Sequence, residues 1–262
     1  MAVEDRTPSN LLGTVEAQGW TTVRLLDPAE VDQLRAAYAT LGVDAGLGCQ
    51  PTTIHPDAGV RQGARDRIRG ILEPAVRRLL PEHRCVVAAF VPKGVGPDSA
   101  MPAHRDWSTC DEERFLPVEV WTPLTAAGAA EGGLYVVPGS HRSAPPRRGS
   151  GMGLDETAPG AVERPPADGD HLVVEVGQGE AIVFHPGLLH GSGPNAGPGP
   201  RVAVISTFQP VDAPLRHYAR HDDGTEVAFE VDEDFYVSGF RPGDPVPGRI
   251  VDDERGSAGP LR

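Results

Sequence analysis

From residue 84 onward the chain is cut into short apolar segments rich in β-branched residues, and glycine or proline closes almost every one. They are 85–92 (CVVAAFVP), 117–124 (PVEVWTPL), 133–138 (GLYVVP), 171–176 (HLVVEV), 180–184 (EAIVF) and 201–209 (RVAVISTFQ). Segments of this length and composition suit strands better than buried helices. The 32 Gly and 27 Pro of the 262-residue chain are the punctuation that keeps them apart. Upstream the pattern differs. Residues 20–26 (WTTVRLL) read as one further strand. Asp27-Pro28-Ala29-Glu30 then carries an N-cap, a proline at the first helical position and a glutamate three residues after the cap. Val31, Leu34, Tyr38 and Leu41 follow at helical spacing, which predicts an amphipathic helix over 28–41. A second helix is predicted over 64–80, with Ile68, Ile71, Leu72, Val76, Leu79 and Leu80 on one face and Pro81 closing it. Its other face carries Arg61, Arg65, Arg67, Arg69, Arg77 and Arg78. This reads as a solvated basic face, with docking of a phosphorylated substrate or carrier protein as the alternative.

Helices followed by a run of strands predict a mainly β protein, a jelly roll of the double-stranded β-helix, cupin-like kind, buttressed by N-terminal helices. The expected organisation is one domain over 1–262: a helical part at 27–81, a jelly-roll core at 84–210 and an acidic C-terminal tail at 211–262. Residues 142–170, with five prolines, five glycines and the pair Arg147-Arg148, read as a long exposed loop.

A net charge of −13 argues against nucleic acid or an anionic membrane as a partner. Cys49, Cys85 and Cys110 show neither CxxC nor zinc-finger spacing, which fits a reduced compartment and inert thiols. The stretch MAVEDRTPSN has no apolar core of a signal peptide, and no run approaches eighteen apolar residues. A soluble, cytoplasmic protein acting on a small molecule is expected; oligomeric state is left open.

Chemistry-bearing residues are few. His104-Arg105-Asp106 offers a histidine and a carboxylate two residues apart, which one strand would present on one face. Two histidines and a carboxylate can hold one face of an iron(II) ion and leave the other open. The triplet alone is weak, because His55-Pro56-Asp57 and His221-Asp222-Asp223 share it. The first of these suits a turn, and the second lies beyond the strong strands. A distal ligand could be His185 or His190. Arg201 opens the strand after His190, and a return strand lying antiparallel beside it would bring the guanidinium into the same pocket. An arginine there can grip a dicarboxylate by a bidentate pair.

Four local features then make a resemblance. Lys93, the only lysine among 24 basic residues, lies eleven positions before His104. Glu119-Val120-Trp121-Thr122-Pro123-Leu124 follows, then Glu131-Gly132-Gly133 running to Pro138-Gly139-Ser140-His141-Arg142. The last is Gly179-Glu180-Ala181 running through His190-Gly191-Ser192 to Arg201. In order and spacing these resemble the phytanoyl-CoA dioxygenase family of iron(II)/2-oxoglutarate oxygenases, over roughly 84–141 and 171–210. The resemblance implies that His104, Asp106 and His190 bind iron(II), and that Arg201 and Ser192 grip the distal carboxylate of 2-oxoglutarate. It also implies that Lys93 lies near that co-substrate and that Trp121 lines its pocket. His141 and His185 read as structural. A carboxylate at 106 disfavours halogenation, for which relatives have a small residue there. The expected reaction is oxidation of an unactivated C–H bond with O2 as co-substrate and release of succinate and CO2. Hydroxylation, desaturation, cyclisation and epoxidation all remain open. The arginine bias points to a GC-rich genome of the sort rich in secondary metabolism, so a natural-product intermediate is the expected substrate. An acyl-CoA or carrier-protein-tethered substrate is the alternative. From another class, a divalent-metal hydrolase or isomerase could use the same triad.

Overall fold

The structure, a computed structural model, describes residues 8–46, 48–149, 170–220, 226–240 and 244–253. Helix α1 (Pro8–Gln18) leads into strand β1 (Trp20–Arg24), then α2 (Pro28–Thr40) and α3 (Ala58–Arg77). Eleven strands follow: β2 (His83–Lys93), β3 (Met101–His104), β4 (Val118–Pro123), β5 (Leu134–Val136), β6 (Leu172–Val173), β7 (Glu180–Phe184), β8 (His190–Ser192), β9 (Arg201–Pro210), β10 (Arg216–Arg220), β11 (Glu226–Glu230) and β12 (Arg249–Asp253). They form a five-stranded sheet in the order β1-β7-β4-β9-β2, a four-stranded sheet β3-β8-β5-β6 and a three-stranded sheet β10-β11-β12. Every pairing is antiparallel. The first two sheets are the halves of the jelly roll.

Alternation along the strands decides which face meets what. On β7, Ala181 and Val183 join Val118, Val120, Val202 and Val204 in a layer covered by the helices, through Leu11, Val15, Leu34, Ile68 and Leu72. Ile182 and Phe184 point the other way, to a second layer with Trp121, Ala203, Leu134 and Val136 between the two sheets. The cap at Asp27 forms as its sequence requires: the carboxylate accepts from the Glu30 amide at 2.8 Å, and Glu30 accepts from the Asp27 amide at 2.9 Å.

The structure departs from the sequence reading in four ways. First, α3 starts six residues before position 64, because Asp57 caps it by accepting from the Gly59 amide at 2.7 Å. His55-Pro56-Asp57 is thereby spent on a helix start. Second, the arginine face of α3 is only partly solvated: Arg67, Arg77 and the C-cap Arg78 are exposed, and the others are not. Arg61 is buried and donates to the carbonyls of His55, Pro56, Val237 and Ser238. Arg65 reaches Asp234, and Arg69 and Arg84 both reach Glu233. Third, much of the acidic tail is folded. Val227, Phe229 and Val231 alternate on one face of the C-terminal sheet and pack with Phe235, Tyr236 and Phe240 against Val86 and Val87 of β2. The alternation EVAFEV was visible at 226–231, but the flanking acids masked it. Fourth, Arg148 is not an exposed loop residue but a buried one, described below. His221-Asp222-Asp223 and most of loop 142–170 lie outside the described residues. Among the described residues no helix is long and apolar enough to cross a membrane.

Candidate active site

β3 and β8 run antiparallel with His104 directly opposite His190, and the two rings lie 4.3 Å apart between centroids. Each imidazole is oriented by its own strand. Nδ1 of His104 meets the Pro102 carbonyl at 2.8 Å, and Nδ1 of His190 meets the Leu188 carbonyl at 2.9 Å. A carbonyl only accepts, so each Nδ1 carries the hydrogen and each Nε2 is left with its lone pair. Burial pushes the His190 imidazolium down to about 4, which keeps this ring neutral near pH 7.

Asp106 faces both lone pairs, with Oδ1 3.7 Å from Nε2 of His104 and Oδ2 3.5 Å from Nε2 of His190. It does not share the strand of His104, as the spacing had suggested, because β3 ends at His104. The loop after the strand carries it, pinned where its amide donates to the Pro186 carbonyl at 3.0 Å. Arg148 holds it from the other side, donating from Nε to the Asp106 carbonyl at 2.6 Å. That arginine is neutralised by Glu112 through two contacts at 2.9 and 2.6 Å. Ligand atoms of His104, Asp106 and His190 all lie within 4.8 Å of one another, and among the described residues no other group of three does so. Asp106 Oδ2 is buried with no hydrogen bond. Two aimed lone pairs and an orphaned carboxylate oxygen suit a divalent transition metal of the iron(II) kind.

The cavity in front of this cluster is lined from both sheets. Arg201 enters it from an unexpected direction. Its strand, β9, pairs with β2 and β4 in the opposite sheet and does not lie beside β8. The guanidinium therefore crosses between the sheets toward Ser192, which also lines the cavity. Arg201 is 2% exposed, and its bonds are to the carbonyls of Val91 at 3.4 Å and Gly132 at 3.0 Å. Its Nε is buried with no acceptor, and among the described residues no carboxylate pairs with it. Burial lowers its pKa to about 10, which leaves a cation awaiting an anion. The Trp121 ring lies 5.5 Å from the guanidinium carbon and forms part of the wall.

Gly191 separates His190 from Ser192 for a steric reason. A Cβ there would stand 2.8 Å from the Met101 carbonyl oxygen and 2.5 Å from the Tyr135 hydroxyl. Lys93 sits differently from the sequence expectation. It faces Arg201 across the β2–β9 ladder, but its ammonium is turned to the carbonyls of Ser99 at 2.6 Å and Gly193 at 2.7 Å, and it is absent from the cavity wall. Burial lowers its pKa to about 8. His185 and His141 also lie off the wall, near one another and α1, with His141 bonded to the Glu16 carbonyl at 3.1 Å.

Two wall residues escaped the sequence reading. Arg148 was hidden by its loop setting. Glu119 was hidden inside an apolar strand, where a lone acid is itself the signal: it is 2% exposed, lines the cavity and accepts from the Thr207 hydroxyl at 2.8 Å.

The jelly roll with this pocket belongs to the non-haem iron, 2-oxoglutarate-dependent oxygenases, a class that uses iron(II), 2-oxoglutarate and O2. Residues 16–203, more than two thirds of the chain, match the family model of phytanoyl-CoA dioxygenase (PhyH). The chain belongs to that family. It is similar to an ectoine dioxygenase of Nocardia farcinica (strain IFM 10152), 26% identical over 245 residues covering 79% of each chain. Among solved structures it is similar to SnoK, a non-haem α-ketoglutarate-dependent carbocyclase from nogalamycin biosynthesis, at 19% identity and a TM-score of 0.57, covering 95% of this chain and 100% of that one. EvdO2 from Micromonospora carbonacea var. aurantiaca, complexed with 2-oxoglutarate, matches at 20% identity and a TM-score of 0.55, covering 80% of this chain and 94% of the other. At these identities what the structures share is the fold.

Proposed function

We propose that this chain oxidises an unactivated C–H bond of a small-molecule natural-product intermediate, with His104, Asp106 and His190 holding iron(II) and Arg201 and Ser192 holding 2-oxoglutarate. In the simplest outcome, substrate R–H, O2 and 2-oxoglutarate give R–OH, succinate and CO2. Bound iron(II) supplies the activation of O2 that the side chains lack. The protein's own contribution is geometric. Two backbone-fixed imidazoles and a carboxylate offer three ligand atoms on one side. Arg201 offers a buried fork to a carboxylate, Ser192 a hydroxyl beside it, and Trp121 a flat wall. Lys93, turned to backbone carbonyls, acts by holding the 193–195 turn that follows Ser192.

The observation that carries this reading is the pairing of an orphaned Asp106 oxygen with an anion-less buried Arg201 in one cavity. A hydrolase or isomerase using the same triad leaves Arg201 and Ser192 without a task. A natural-product substrate is favoured over an acyl-CoA or carrier-bound one by SnoK, whose name places it in nogalamycin biosynthesis.

Iron(II) and 2-oxoglutarate added without O2 are expected to give a visible metal-to-ligand charge-transfer band, and with O2 to give succinate. Absence of both sinks the proposal. Arg201→Ala should raise the 2-oxoglutarate requirement roughly 10–100-fold, the worth of a charge-assisted bond of about 1.5–3 kcal/mol, and leave metal binding in place. Loss of metal instead means that the assignment of the two ends of the pocket is wrong.

A further inference from the structure

The cavity continues past the triad, away from Arg201. Arg201, Ile205 and Thr207 all reach its wall from β9. Six residues of strand separate the first from the last, roughly 20 Å at about 3.3 Å per residue. A five-carbon diacid stretched from Arg201 to the metal leaves the Thr207 end free for the substrate. That end is walled by Val87 and Trp107, with one acid, Glu119, set among them.

Glu119 is an anomaly there. Burying a carboxylate is costly unless a cation or several donors accompany it. Among the described residues its hydrogen bond comes from a neutral hydroxyl, that of Thr207. The arginine whose charge reaches it, Arg148, is already held by Glu112 in a two-contact pair. Burial, then the charge of Asp106, pushes the Glu119 carboxyl well above the usual carboxylate range. Nothing in the jelly-roll packing requires an acid at this position: the next residue on the same face of β4 is Trp121, and its partner across the ladder on β7 is Phe184.

We infer that Glu119 is the specificity residue of the substrate end, and that the substrate carries a basic nitrogen whose ammonium binds Glu119 while its apolar body lies against Val87 and Trp107. The inference deepens the proposed function and rests on it, because it takes the Arg201 end as filled by 2-oxoglutarate. An ammonium beside Glu119 favours the ionised carboxylate that burial alone disfavours. It also sets the orientation, since an ion pair at Glu119, beside Val87 and Trp107, fixes which carbon faces the metal even though Arg105 and Arg148 share the wall.

The test uses the full chain with iron(II) and 2-oxoglutarate under nitrogen, and three isosteric probes: cyclohexylmethylamine, cyclohexylmethanol and cyclohexanecarboxylate. Binding is read by fluorescence of Trp107 and Trp121. The amine is expected to bind at least ten-fold more tightly than the alcohol, with the carboxylate weakest. Glu119→Gln should erase the preference, and Thr207→Val, which keeps the acid, should retain it. Equal binding of amine and alcohol to the wild type overturns the inference, as does a preference that survives Glu119→Gln. The charge-transfer band separates this from the underlying reading: a band without amine preference overturns the substrate class alone. No band overturns the proposed function, and the inference with it.

Discussion

Arg148 shows how one buried side chain can fix the backbone of another residue, here Asp106. It donates to the backbone of Asp106, and its charge is cancelled by Glu112, so that both side chains are buried, at 5% and 4% exposure. Removing one member of a buried pair strands the other, at about 3–5 kcal/mol, whereas replacing both by apolar groups can be neutral. Arg148→Met is therefore expected to destabilise the fold and weaken metal affinity roughly 10–100-fold, the usual scale for a lost supporting contact. Arg148→Met with Glu112→Leu should recover most of the stability but not the affinity, because the Asp106 carbonyl still lacks its donor. Denaturation and metal titration of the wild type and the two variants decide it; equal recovery of both quantities shows that Arg148 does not position Asp106. Gly191 makes a second case. Gly191→Ala forces a methyl against the Met101 carbonyl and the Tyr135 ring. It should cost about 1–3 kcal/mol, as overpacking does, and weaken metal and 2-oxoglutarate binding together, since it parts His190 from Ser192. A variant with unchanged thermal melting refutes that steric argument.

The C-terminal sheet lies outside the matched family region of 16–203, and its apolar cluster backs two residues of the cavity wall, Val87 and Trp107. Trp107 of the wall stacks on Tyr236 with ring centroids 6.0 Å apart and planes 11° from parallel. Within that element His217 is buried among Phe229, Phe235 and Phe240, and burial pushes its pKa down to about 4. The unfolded chain takes up a proton near 6.5, and the folded chain not until about 4. Stability is thus complete above 6.5 and falls as the pH drops through that window, by up to about 1.4 kcal/mol per pH unit. His217→Phe should make the fall of the melting temperature between pH 6.5 and 4.5 shallower, His185 and His190 keeping their share of it, and a slope identical to wild type removes His217 as a cause.

What the sequence disclosed at this level follows its periodicity. The strands with long apolar runs, β2, β4, β7 and β9, and the capped helix α2 were readable because burial on both faces, or on one stripe, leaves a pattern. β3 and β8 were not readable as strands, since MPAH and HGS spend their positions on ligands and a glycine instead of on core. His104, Asp106, His190 and Arg201 were found by chemistry and order, yet the sheet that each occupies was not, because strand pairing between distant segments leaves no local trace. The partners of the α3 arginines, some 165 residues away at Glu233 and Asp234, were invisible for the same reason.

Across the molecule, one cavity gathers three buried ionisable groups whose charge is poorly compensated. Asp106 Oδ2, Arg201 Nε and the Glu119 carboxyl are buried along a single cavity, whereas Arg65 and Arg69 of α3 are matched to acids. Each unmatched group subtracts from the stability of the free chain and returns it when a ligand arrives. A ligand that binds only the folded state at a hundred times its dissociation constant adds about 2.7 kcal/mol. For a chain of this size that corresponds to a rise in melting temperature of roughly 5–10 °C. Manganese(II), which resists oxidation, is the convenient stand-in for iron(II). Manganese(II) and 2-oxoglutarate together are expected to raise the melting temperature by more than the sum of either alone, because 2-oxoglutarate joins the two ends of the cavity. His190→Ala should abolish the metal shift and most of the 2-oxoglutarate shift. Arg201→Ala should keep the metal shift and lose the excess. Strictly additive shifts in the wild type mean that metal and diacid do not share this cavity, and the joint assignment of the triad and Arg201 then fails.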